Sequence, residues 1–155
     1  MGEALKKRIK QERFESAAQE AFLNLLIVAD HLREKLDRVC AKHGITHGQY
    51  NVLRILRGVY PDGHPRCEIA ARLLERAPDV TRMVDRLEGQ GLVARDRSTE
   101  DRRLSITRIT KRGLKLIDKI NPEIESMNEV FKKFSRQELK VVSEICEKIY
   151  DEEQE

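Results

Sequence analysis

The chain contains no tryptophan and only three Tyr and four Phe among its 155 residues. A core without many rings must be filled by aliphatic side chains, which suits packed helices with wide solvated faces. Its cysteines, Cys40, Cys67 and Cys146, are odd in number and far apart. That pattern suits reduced thiols, each most simply a small apolar residue, better than a disulfide framework. The longest apolar run, AFLNLLIVA at residues 21–29, is too short to cross a bilayer and contains Asn24, and the opening MGEALKKRIKQERF lacks the apolar centre of an export signal. A cytoplasmic protein is expected.

Catalytic signatures are also missing. There is no Gly-rich phosphate loop, no H-E-x-x-H and no G-x-S-x-G elbow. No catalytic residue, cofactor or metal is assigned, and an enzyme is not expected.

Charge is plentiful but unevenly placed. Residues 66–115 hold thirteen Arg and Lys, eleven of them Arg, against eight Asp and Glu, whereas residues 116–155 hold six basic against eleven acidic. A polyanion would therefore find the middle of the chain. Within it, RDRSTEDRRLSITRIT at residues 95–110 gathers Arg95, Arg97, Arg102, Arg103 and Arg108.

Apolar periodicity organises the rest. Phe14, Ala18, Ala21, Leu25, Val28, Leu32 and Val39, widened by Phe22, Leu26 and Leu36, predict one long amphipathic helix ending near Gly44. Thr46-His47-Gly48-Gln49 reads as a capping box, stapled by Ile45 and Tyr50, that opens a helix running to about Val59. Residues 61–65, with two prolines and a glycine, read as a turn that joins no sheet. Ile69, Ala70, Leu73 and Leu74 mark a short helix from Arg66, and a further helix is expected from Pro78, with Val80, Val84 and Leu87 inward and Gly89 and Gly91 closing it.

Two short helices so joined are a helix-turn-helix. Residues 92–97 and 104–109 read as the strands of a following hairpin, with Leu104 and Ile106 on one face. Thr110 can cap a helix through Leu114, Ile117, Ile120, Ile124, Met127 and Phe131, continuous across a kink at Pro122, and Ser135-Arg136-Gln137-Glu138 is a second capping box before Leu139, Val142, Ile145 and Ile149. The expected fold is mainly α with a small β-hairpin: a winged helix-turn-helix flanked by N- and C-terminal dimerisation helices. Its parts are residues 1–44 (dimerisation), 45–113 (DNA binding) and 114–155 (dimerisation).

The middle segment suits duplex DNA. A helix fits the major groove, where base edges differ, and Asp79, Thr81, Arg82 and Arg86, with Pro78 at the helix entry, lie away from the apolar stripe. A minor groove concentrates negative potential and attracts inserted Arg, which assigns Arg102 and Arg103 to the wing tip. Asp101 would orient Arg103 by pairing with it, while Arg66, Arg97 and Ser98 would reach phosphates. Any one of these arginines could instead belong to a solvated face paired with Asp96, Glu100 or Asp101. Five together after a helix-turn-helix favour the nucleic-acid reading.

Asp101-Arg102-Arg103, five residues, then Ile109-Thr110-Lys111-Arg112-Gly113 resembles the wing signature D-x-R-x5-L-T-x2-G of the MarR family, with Ile in place of Leu. VTRMVDRLEGQGLVAR and ITHGQYNVLRIL look like that family's recognition helix with first wing strand and its second helix, so the resemblance spans about residues 45–113. It implies a cytoplasmic homodimeric transcriptional regulator, usually a repressor, acting on double-stranded DNA and released by a small-molecule effector, aromatic or phenolic. It also places the minor-groove arginine at Arg103 and early recognition-helix contacts at Asp79, Thr81 and Arg82. Where relatives often carry Ser or Thr at the helix start, this chain has Ala77-Pro78-Asp79, and a carboxylate there accepts from cytosine but repels phosphate.

Apolar stripes on the first and last helices exceed what a winged helix of about 65 residues can cover, so Phe14, Ala18, Ala21, Leu139, Val142, Ile145 and Ile149 are assigned to a dimer interface. Cys40, His43 and His47 have a C-x2-H-x3-H spacing that zinc accepts, but Gly44 breaks the helix between the histidines and local capping explains them more simply. The alternatives are a winged helix turned to a protein partner and a thiol- or metal-responsive regulator.

Overall fold

The computed structural model describes residues 2–75, 79–96 and 105–151. Element order is α1 (Glu3–Ile9), α2 (Ala17–Lys42), α3 (His47–Arg57), β1 (His64–Pro65), α4 (Arg66–Arg72), α5 (Val80–Gly89), β2 (Val93–Arg95), β3 (Ile106–Ile109), α6 (Lys111–Ser126), a 3-10 turn over Met127–Lys133, and α7 (Arg136–Asp151). Most of the described chain is helical, with one small antiparallel sheet ordered β1-β3-β2.

The core sits between α3, α4, α5 and α6. Val52, Leu53, Leu56, Ile69, Leu87, Ile117 and Ile120 are fully buried there, and Cys40 joins them from the end of α2. Each such Leu or Ile stabilises the fold by roughly 1.5–3 kcal/mol. α3 is the hub, packing against α2, α4, α5, α6 and β3. Its start is set by its own sequence, because Thr46 Oγ1 accepts from the Gln49 N–H at 3.1 Å while Gln49 Oε1 accepts from the Thr46 N–H at 3.0 Å. Ile45 and Tyr50, the expected staple, are both buried.

Two expectations are corrected here. The first helix does not run from Phe14: Ser16 is extended, its hydroxyl accepts from the Gln19 N–H at 3.1 Å, and α2 begins at Ala17. A satisfied cap thus outweighs continuation of the apolar spacing, leaving Phe14 before the helix and α1 as a separate short helix. Secondly, residues 64–65 do join the sheet, His64 opposite Thr107 and Pro65 opposite Ile106. Proline is tolerated because β1 is an edge strand. Gly63 lets the chain approach so closely that a Cβ there would lie 2.1 Å from the Thr107 carbonyl oxygen.

The hairpin strands are shorter than expected. Val93 pairs with Ile109 and Arg95 with Thr107, and the buried face of β3 carries Thr107 and Ile109, whereas Arg108 is exposed. Thr110 Oγ1 accepts from the Gly113 N–H at 3.1 Å and so starts α6, which continues through Pro122 as expected but gives way at Met127 to the 3-10 turn, short of the expected Phe131. The Ser135–Glu138 box is also formed, with Ser135 N–H donating to Glu138 at 2.8 Å and Glu138 N–H to Ser135 Oγ at 3.2 Å.

Apolar side chains remain uncovered at the two ends of the chain. Phe22, Leu26 and Val28 on α2 and Val142, Ile145 and Ile149 on α7 are each at least half exposed, and α7 has no buried residue.

Candidate nucleic-acid interface

α5 is held by one face. Val80, Val84 and Leu87 are buried, Met83 is half-buried, and Thr81, Arg82, Asp85 and Arg86 project from the other side. The helix opens at Val80, two residues later than the expected start at Pro78, because Asp79 is the N-cap: its Oδ1 accepts from the Arg82 N–H at 2.9 Å. That bond gives Asp79 a local structural use, and its other oxygen lies 3.7 Å from Arg82 Nε.

Arg66, the first residue of α4, donates from Nη1 to Thr81 Oγ1 at 2.8 Å. Two residues assigned separately to phosphate and base contact are therefore joined on one surface. Arg86 is exposed and, among the described residues, its side chain has no hydrogen bond or ion pair. Arg82, Arg86 and Arg66 make that surface cationic.

Arg95 is clamped to α5. At the end of β2 its Nη2 lies 2.6 Å from Asp85 Oδ1 and 2.5 Å from Glu88 Oε2, its Nε donates to Glu88 at 3.0 Å, and its backbone N–H donates to the same carboxylate at 3.3 Å. The Glu88 bond first, then that to Asp85, against the opposing effect of partial burial, holds the guanidinium more firmly protonated than usual. Sequence spacing carried no sign of this clamp, since its partners lie on another element.

Pro78, Arg97, Ser98, Asp101, Arg102 and Arg103 lie outside the described residues. The described base of the β2–β3 hairpin is tied to the start of α6. Thr110 Oγ1 bonds the Gly91 and Leu92 carbonyls at 2.7 and 3.1 Å, and Gly113 sits so close to β2 that a Cβ would meet the Leu92 oxygen at 2.3 Å. The Thr-x2-Gly of the wing signature is thus a joint between hairpin and α6.

Cys40, His43 and His47 diverge. Cys40 is buried in the core, and burial, helped by Asp37, pushes its thiol up to about 11. His43 Nε2 lies 2.8 Å from Glu123 on α6. His47 Nδ1 lies 2.5 Å from Asp37 on α2 and Nε2 3.2 Å from Glu75 after α4, while Arg33 also reaches Glu75 at 3.0 Å. Desolvation lowers the His47 pKa, but the two carboxylates together outweigh it and the net shift is upward. Among the described residues no group of three His, Cys, Asp or Glu could hold a metal.

Between the end of α2 and the end of α6 lies an open groove of about 570 Å³, with Val39, Met127 and Val130 as apolar lining and Lys35, Arg38 and Lys42 along one side. No helix among the described residues is long and apolar enough to cross a membrane.

Comparison with known proteins finds the same arrangement elsewhere. The MarR family model matches residues 45–105. A MarR transcription factor from Planctomyces limnophilus is 34% identical, with 87% of this chain and 98% of that one covered and a TM-score of 0.67. S. aureus MepR, in a complex with DNA, is 21% identical over 91% of this chain and 99% of its own, with a TM-score of 0.75. CouR from Rhodococcus jostii RHA1, bound to p-coumaroyl-CoA, is 19% identical over 88% of this chain and 95% of its own, with a TM-score of 0.73.

Proposed function

The chain belongs to the MarR family of transcriptional regulators, not to an enzyme family, and on that footing we propose that it is a homodimer that binds a pseudo-palindromic site on double-stranded DNA. The observation that carries this reading is the outward face of α5, where Thr81, Arg82 and Arg86 are exposed on a helix anchored by Val80, Val84 and Leu87. A rigid helix that presents exposed Arg and Thr side chains is what base edges in the major groove require. The DNA complex of the similarly folded MepR supports the same use of the fold.

Arg102 and Arg103 enter the adjacent minor groove, with Asp101 orienting Arg103, while Arg66, Arg97 and Ser98 hold phosphates. Residues 45–113 form the DNA-binding part, and residues 1–44 and 114–155 the dimer. Support for the dimer comes from the exposed apolar faces of α2 and α7, since patches of that kind mark interfaces. Phe14, Ala18, Ala21, Leu139, Val142, Ile145 and Ile149 belong to it.

Regulation follows as repression relieved by an effector. The groove beside Val39, Met127 and Val130 suits an aromatic group, in line with the p-coumaroyl-CoA bound by CouR. Cys40 is a poor redox sensor, because a buried thiol raised to about 11 is not a thiolate at neutral pH. A chromosome-bound regulator of this kind works in the cytoplasm.

Gel-shift titration across salt concentrations tests the reading. Affinity for a duplex selected by the protein falls steeply with salt, with a slope of about −0.9 per phosphate neutralised. Binding that is flat with salt, or equal for a neutral polymer, contradicts it.

A further inference from the structure

The exposed side of α5 carries Thr81, Arg82, Asp85 and Arg86. Asp85 is the one carboxylate among these four. Glu88, one turn on, flanks the same side. A duplex presents a dense row of phosphates, and a carboxylate brought against it without a counter-charge opposes binding. Both acidic groups are nevertheless engaged by one cation from another element, Arg95 on β2, at 2.6 Å and 2.5 Å.

We infer that Arg95 is a positioning residue for DNA recognition, which acts through Asp85 and Glu88 by masking their charge so that α5 meets the duplex as a cationic face. Three observations separate this role from direct contact. The guanidinium is consumed by two carboxylates, and even the Arg95 backbone N–H is given to Glu88. Its side chain is 29% exposed, whereas that of Arg82 is 72% exposed. Finally, Arg95 leaves β2 beside the C-terminal half of α5, while the base-reading residues Thr81 and Arg82 sit at its first turn. Of the five arginines in residues 95–110, then, Arg95 serves the recognition helix rather than the DNA.

The inference rests on α5 being the DNA-facing helix, and the test separates the two. Binding to a duplex selected by the parent from a random pool is measured for Arg82→Ala, Arg95→Gln, Asp85→Asn/Glu88→Gln, and the triple variant Arg95→Gln/Asp85→Asn/Glu88→Gln, each checked for folding by circular dichroism and thermal melting. Arg95→Gln weakens binding roughly tenfold or more, as expected for Asp85 left without its counter-charge against phosphates. The triple variant returns to within about threefold of the parent, although the clamp is still absent. Its salt slope is no shallower than the parent's.

A triple variant as weak as Arg95→Gln, or a slope reduced by about 0.9, means that Arg95 touches a phosphate itself and overturns the inference. Arg95→Gln binding like the parent overturns it too. Should Arg95→Gln fail to fold, the Asp85→Asn/Glu88→Gln variant decides: parental or tighter binding supports masking, and weaker binding shows that a carboxylate reads a base. If Arg82→Ala binds like the parent, the α5 reading fails and the inference with it; if Arg82→Ala is weak while the Arg95 results go against masking, the inference alone fails.

Discussion

Replacing Gly113 by alanine places a Cβ 2.3 Å from the Leu92 carbonyl oxygen and 2.7 Å from Ile109 Cγ1. The oxygen cannot move aside cheaply, because it already accepts the Thr110 N–H at 3.1 Å and lies 3.1 Å from the Thr110 hydroxyl. Gly113 is in the first turn of α6, so alanine gains at most about 1 kcal/mol of helix propensity. Forcing a methyl into a filled site costs about 3 kcal/mol, leaving a net loss of about 2 kcal/mol. For a chain of this length that corresponds to a fall in Tm of about 4–8 °C.

Gly89 is the control. It is also helical, but a Cβ there meets nothing within 4 Å. Gly89→Ala therefore stabilises, by about 0.5–1 kcal/mol, or about 1–4 °C. Differential scanning calorimetry at one fixed protein concentration, so that dimerisation does not shift the comparison, gives both values. A Gly113→Ala protein that melts at or above the parent's temperature would refute the tight joint between wing and α6, and with it the reason for the glycine in the signature.

Other consequences are equally open to measurement. Arg103→Ala lowers affinity for the selected duplex by about tenfold while sedimentation still shows a dimer; unchanged affinity counts against the wing-tip assignment. Val142→Asp with Ile145→Asp puts charges on the uncovered face of α7 and converts the dimer to a monomer in sedimentation equilibrium, whereas a dimer as tight as the parent's places the interface elsewhere. Because the His47 pKa is raised in the folded protein, its contribution to stability is fully present below about pH 6.5, the value of the free side chain. It is lost as pH climbs through the raised folded value. Urea melts from acid to mildly alkaline pH show that loss in the parent and not in His47→Gln; parallel pH profiles would contradict it.

What could be read from the sequence was local. The Thr46–Gln49 and Ser135–Glu138 boxes and the Thr110 cap each involve residues three apart, so the chain states them directly. The inward stripe of α5 was legible for the same reason. Features that failed depend on distant partners or on competition between signals. β1 exists because β3 offers it an edge, which the turn-like composition of residues 61–65 conceals. Ser16 stops α2 from extending back to Phe14 because its cap bond outweighs a continuing apolar spacing. The spacing of Cys40, His43 and His47, read as local capping in preference to a metal site, gave no hint that the fold sends them to the core, to Glu123 and to Asp37 with Glu75. Arg95 figured in the sequence only as one of five clustered arginines, because its partners Asp85 and Glu88 lie on another element.

In the proposed dimer, two copies of α5 read one duplex. Repeated selection of binding sites from a random pool of double-stranded DNA by the purified protein tests it most directly. The expected result is enrichment of an inverted repeat whose half-site centres lie about 10–10.5 base pairs, or one helical turn, apart. No enrichment, or a single half-site without its inverted copy, would contradict it.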